Sequence, residues 1–149
     1  MKSNSQTREQ NAKKKEALNE YLEALKVVDY WANKVRELSG TYWKNQDGNA
    51  EPVRKSLGDP TAFTILERET AEANEMEAKR YAKEAKARVL ALIQMARTAD
   101  QKVLLMRHYI DGMTWEDAAE AAGKSRTWAT NTHGEALLYI SLPEPAKQK

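Results

Sequence analysis

The chain has 149 residues, enough for one ordinary domain, or a small domain with an elongated appendage, and too few for a polymerase, a large barrel or a multidomain enzyme. Apolar residues make up 41% and charged residues 31%, with 4 Pro, 6 Gly and a mean hydropathy of −0.80, a balance closer to a helical or coiled-coil chain than to a compact mixed fold. The formal net charge is only +2, from 24 Lys and Arg against 22 Asp and Glu, so bulk charge favours neither a nucleic-acid binder nor a membrane-surface protein and the distribution has to decide.

The lack of Cys excludes disulfide frameworks, Cys-based zinc sites and thiol nucleophiles, and suits a reducing cytoplasm. Met1 to Lys15 is polar and basic, without the apolar centre of a signal peptide, and no later stretch is apolar for long enough to span a bilayer. The expectation is a soluble cytoplasmic protein with no membrane partner.

Residues 1–11 carry Ser, Asn, Gln and Arg without apolar periodicity and are expected to form a disordered tail. From Ala12 to Leu38 apolar side chains recur at Leu18, Tyr21, Leu25, Val28, Ala32 and Val35, in steps of three and four that predict one helical stripe, widened by Leu22 and Leu38. Gly40, Gly48, Pro52, Gly58 and Pro60 then mark a long connection at 39–60. Asp59 and Pro60 suit a helix start, since Asp can accept from free amides and Pro at the first position loses nothing by lacking one. Thr61 to Arg97 holds no Gly or Pro and is rich in Ala, Glu, Lys and Arg, predicting one helix of about 55 Å at about 1.5 Å per residue. Its seam of Ala71, Ala78, Ala82, Ala85, Val89, Leu92 and Ala96 is expected to pack on the first helix, making residues 12–97 a helical hairpin.

Residues 98–142 are denser in signals, and 143–149 are expected to be a tail. Thr98 or Asp100 can cap a helix that Asp111 and Gly112 stop, Thr114 with Asp117 suits the start of a second, and Gly123 ends it. Ser125 can cap a third helix running to about Ile140, before Pro143. Two helices joined by a tight Gly turn form the helix-turn-helix pattern, so the fold class expected is all-α, a long amino-terminal helical hairpin followed by a small helix-turn-helix bundle.

The stretch LLMRHYIDGMTWEDAAEAAGKSRTWATNTHGEALLYI, Leu104 to Ile140, resembles the fourth, promoter-recognising region of bacterial sigma factors, without a gap. Arg107 and Tyr109 match the arginine and tyrosine of its first helix, Thr114 and Glu116 the pair opening the next, Ser125 and Arg126 the start of the recognition helix, and Ala136 and Leu137 its closing pair. The chain has no room for the other regions of a true sigma factor. It looks most like the small phage regulators with a helical amino-terminal part and a sigma-region-four-like end, the ArpU-like group. It departs from the pattern at Ala118, Lys124, Ala129 and Thr132, where branched aliphatics are usual, and at Gly134, where alanine is usual and glycine costs roughly 1 kcal/mol.

Arg and Asn suit bidentate contacts with guanine and adenine edges, which makes Arg126 and Asn131 the leading base contacts. The resemblance extends DNA-facing roles to Ser125, Thr127, Trp128 and Thr130. Trp128 stands where the family usually has a basic residue, and a packing role for it weighs equally. Lys124 is a candidate phosphate contact, with an ordinary exposed turn lysine as the competing view. Trp115, Ala118, Ala119, Ala122, Ala129, Ala136, Leu137 and Ile140 are expected to form the core with Val103, Leu104 and Tyr109. His108 and His133 lack metal-ligand spacing, the acidic run Glu67 to Glu77 is a solvated face, and no phosphate loop or nucleophile motif appears. No catalytic residue, metal or cofactor is expected.

The function expected is therefore a sequence-specific DNA-binding transcriptional regulator of phage or prophage origin, not an enzyme. Its partners would be double-stranded DNA, with RNA polymerase a candidate second contact by analogy and a homodimer through the hairpin a candidate assembly. The alternatives are a DNA-packaging protein resembling a small terminase subunit, which would assemble as a ring, and a helical scaffolding protein, which would not bind DNA.

Overall fold

The computed structural model describes residues 4–39 and 62–143, with side chains from residue 6 onward. Among them are six helices and no strand: α1 Asn4–Leu18, α2 Glu20–Ser39, α3 Ala62–Ile93, α4 Ala99–Tyr109, α5 Trp115–Ala121 and α6 Arg126–Tyr139. The protein is all-α. The proposed connection, apart from Ser39 at the end of α2, the Asp59–Pro60 helix start and all of the last tail but Pro143 lie outside the described residues.

The chain divides into two compact units, Met1–Glu23 together with Lys83–Lys149, and Ala24–Ala82. In the first, Leu18 of α1 and Val89, Leu92 and Ile93 of α3 are buried in one cluster with Ala96, with Leu105 and Tyr109 of α4 and with Ala136, Leu137 and Ile140 around the end of α6. At about 25 cal/mol per Å² of apolar surface removed from water, burying such Leu and Ile side chains contributes about 1.5–3 kcal/mol each. The expected boundary between residues 97 and 98 is therefore corrected: the bundle closes its core with side chains from both ends of the hairpin sequence, because α4 to α6 present more apolar surface than they cover among themselves. Across the same unit the Arg88 guanidinium donates from Nε and Nη2 to the Glu20 carboxylate at 3.0 and 2.8 Å.

The tail assignment for residues 1–11 is corrected as well, since the helix begins at Asn4. Asn19 interrupts it only nominally, because its N–H bonds to Lys15 O at 2.9 Å and its own carbonyl accepts from Glu23 at 3.0 Å. What recruits residues 4–11 is continuity with the helix behind them, which supplies a formed nucleus for propagation.

In the Ala24–Ala82 unit, Ala71, Ala78 and Ala82 are buried and Leu25, Val28, Ala32 and Val35 half-buried, on the stripes the sequence marks, and Ala24 is buried beside them. Farther along, Trp31, Lys34 and Leu38 of α2 and Phe63, Leu66 and Ala71 of α3 border a hollow of about 330 Å³. Ion pairs such as Glu75–Lys79 at 3.3 Å line the exposed side of α3, each worth a few tenths of a kcal/mol at most.

Candidate nucleic-acid interface

Each helix of the carboxy-terminal bundle starts on a side-chain cap. Thr98 Oγ1 accepts from Gln101 N at 3.1 Å, and Gln101 Oε1 accepts in return from the backbone N–H groups of Thr98 and Arg97 at 3.3 and 2.8 Å. Thr114 Oγ1 accepts from Asp117 N at 3.0 Å, and Ser125 Oγ from Trp128 N at 3.1 Å. Each satisfies an amide that the first helical turn leaves free. Gly112 and Gly123 have φ of +76° and +72°, the left-handed conformation that lets the chain reverse after α4 and α5 without a Cβ clash. Lys124 N then bonds back to Ala119 O at 2.8 Å, closing the turn between α5 and α6.

These constraints orient α6. Ala129, Thr132, His133, Ala136 and Leu137 are buried, and at 100° per residue Thr127, Asn131, Gly134 and Leu138 form a ridge on the opposite side. Arg126, Thr127, Thr130 and Asn131 are all exposed, as are Lys124 and Ser125 in the turn. The Arg126 guanidinium lies against α5, its Nη1 3.5 Å from Glu116 Oε2. Trp128 faces elsewhere: it is half-buried against the cluster of Leu104, Ala118, Ala119 and Ala129. Its ring is used in packing, with Lys124 Nζ 6.0 Å from the centroid. One core assignment is corrected. Val103 is 38% exposed, and Leu105 is buried in its place, because the inward stripe of α4 runs Gln101, Leu104, Leu105, Tyr109 and position 103 falls off it.

A polar aromatic cluster braces α6 from behind, and sequence reasoning missed it. The His108 ring stacks on Trp115 at a centroid distance of 3.7 Å and 14°, and Trp115 meets the His133 ring at 4.4 Å. The Tyr109 hydroxyl and His133 Nε2 share a hydrogen bond at 2.8 Å, and His108 Nδ1–H donates to Met113 O at 2.8 Å. Burial pushes the His133 imidazole down to about 4, reinforced by the Lys15 ammonium and by His108. It lowers His108 too, partly offset by the Met113 hydrogen bond, and it raises the Tyr109 phenol. All three groups are thus uncharged at neutral pH. The available signal was position: His133 falls on the same inward stripe as Ala129, Ala136 and Leu137.

Beside the carboxy-terminal half of α6 runs α1, whose Lys14 Nζ donates to Leu137 O at 2.7 Å. Gln10, Lys13 and Lys14 border a hollow of about 350 Å³ with Leu138, Ile140, Ser141 and Leu142. Among the described residues no group of three or more His, Asp or Glu side chains could hold a metal ion, and no helix is long and apolar enough to cross a membrane.

Comparison of the chain with models of protein families, with curated proteins and with solved structures finds no match. The case for a function therefore rests on α6 and its surroundings.

Proposed function

We propose that the protein is a sequence-specific DNA-binding transcriptional regulator of phage or prophage origin, which inserts α6 into the major groove. The observation that carries this reading is the exposed face of α6: a side of hydrogen-bonding residues, Arg126, Thr127, Thr130 and Asn131, opens directly after a Gly turn and lies next to a short helix of its own bundle. A major groove about 12 Å wide admits such a helix, and Arg and Asn pair bidentately with guanine and adenine edges. The sigma-region-four resemblance supports the same orientation and adds RNA polymerase as a second partner. The exposed Val27, Tyr30, Phe63 and Leu66 support self-association through the Ala24–Ala82 unit. The protein carries out no chemistry of its own in this reading.

The test is selection of bound duplexes from a randomised pool by the full chain, repeated with Arg126→Ala/Asn131→Ala. The wild type enriches a defined site, and the variant binds that site more weakly by about 1–3 kcal/mol per lost contact with relaxed preference at the contacted bases. Absence of any enriched site from the wild-type selection overturns the proposal. A ring of eight or more subunits in solution would instead favour DNA packaging.

A further inference from the structure

We infer that α1 contributes to the DNA interface, its Lys13 neutralising a phosphate alongside the carboxy-terminal half of α6. The inference rests on the DNA-binding reading of α6 and extends it to a part of the chain that the helix-turn-helix pattern does not include.

Cation supply motivates it. Residues 98–143 hold four basic side chains, Lys102, Arg107, Lys124 and Arg126, against six acidic ones, and the Arg126 guanidinium lies beside Glu116. Phosphate neutralisation supplies nearly all non-specific affinity for DNA and a large share of specific affinity. The bundle by itself is poorly equipped for that. Helix α1, in the same compact unit, carries Arg8, Lys13, Lys14 and Lys15 against Glu9 and Glu16.

Geometry decides which lysines are available. Three successive lysines on a helix point in directions 100° apart. The middle one, Lys14, reaches the Leu137 carbonyl in the last turns of α6, where backbone carbonyls carry partial negative charge. That pins the helix and sets its two neighbours to either side of the contact line. Lys13 borders the hollow beside Leu138, which is 69% exposed on the same ridge as Asn131. Lys15, about 200° from Lys13 around α1, is exposed on the other side of that line, away from the ridge. Lys13 has Glu9 as a neighbour at 3.8 Å, both well exposed, a pairing that a phosphate readily displaces. A 14-residue helix is about 21 Å long, so phosphates flanking its far half lie beyond reach of Lys124 and Arg126 at its start. Lys13 stands at that far half.

The experiment measures binding of the full chain to its selected duplex and to a scrambled one across a salt series, for wild type, Lys13→Gln, Lys13→Arg and a control, Lys15→Gln. At about −0.9 per contacted phosphate, removing one cation makes the slope of log K against log salt shallower by about 0.9. Affinity should fall similarly on both duplexes, so that the preference between them persists. The arginine variant keeps the wild-type slope, and so does the control. An unchanged slope in Lys13→Gln, with wild-type binding intact, overturns the role of α1 and leaves the α6 reading standing. Equal slope changes in the control overturn it too, since the effect is then one of net charge. Failure of the wild type to bind either duplex overturns both.

Discussion

His133 shows how one side chain ties α6 to the bundle. Its folded-state value of about 4 lies below the ordinary 6.5, so the unfolded chain takes up the proton more readily than the folded one. The stability due to the neutral ring is complete above about pH 6.5, declines as the pH falls, and is gone near pH 4. The gap corresponds to about 3 kcal/mol at 1.36 kcal/mol per pH unit. Urea unfolding midpoints should therefore drop between pH 7 and 4.5, and drop much less in His133→Gln; parallel declines would show that the imidazole does not govern the acid limb. Gly134 is the other informative residue. Its φ is not among the positive ones and a Cβ there would meet nothing within 4 Å, so neither backbone conformation nor packing calls for glycine. Gly134→Ala should stabilise the protein by about 0.5–1 kcal/mol, seen as a raised melting temperature.

Among the helices, what could be read in the sequence was whatever short-range chemistry determines. Thr98, Thr114 and Ser125 cap α4, α5 and α6 because a hydroxyl three residues ahead of a free amide needs no tertiary help. Ser125→Ala should cost about 1 kcal/mol in chemical denaturation, and a cost near zero would mean water replaces the hydroxyl at this exposed helix start. The Ala seam of α3 was legible through its period alone: Ala71, Ala78, Ala82, Ala85, Val89 and Leu92 are all buried, as is Ala96 just beyond the helix end. The partners of that seam were not. A stripe says which side of a helix leaves water but not what covers it, so Leu18, Val89 and Ile93 could not be assigned to the bundle core before the structure. The exposed side of α6 was legible for Arg126, Thr127, Thr130 and Asn131. Trp128 was ambiguous because its large apolar ring suits either packing or a base, and only the neighbouring Leu104 and Ala118 decide.

At the scale of the whole molecule, the helix-turn-helix bundle and the two ends of the hairpin sequence are one compact unit with a shared core. A fragment covering only residues 98–149 lacks Leu18, Val89, Leu92 and Ile93, four apolar partners whose loss at about 1.5–3 kcal/mol each exceeds much of the 5–15 kcal/mol that holds a typical domain folded. That fragment should show weak, non-cooperative thermal unfolding, and a chain joining residues 1–23 to 83–149 by a flexible linker should restore a sharp transition; a cooperative melt from the short fragment alone would contradict a shared core. The discontinuity also bears on how the protein is made. The ribosome releases Leu18 long before Val89 and longer still before Leu137, so the core around Leu18 is complete only when α6 emerges. An interrupted product keeps that core open to chaperones and proteases, and so the order of the core along the chain distinguishes finished molecules from unfinished ones.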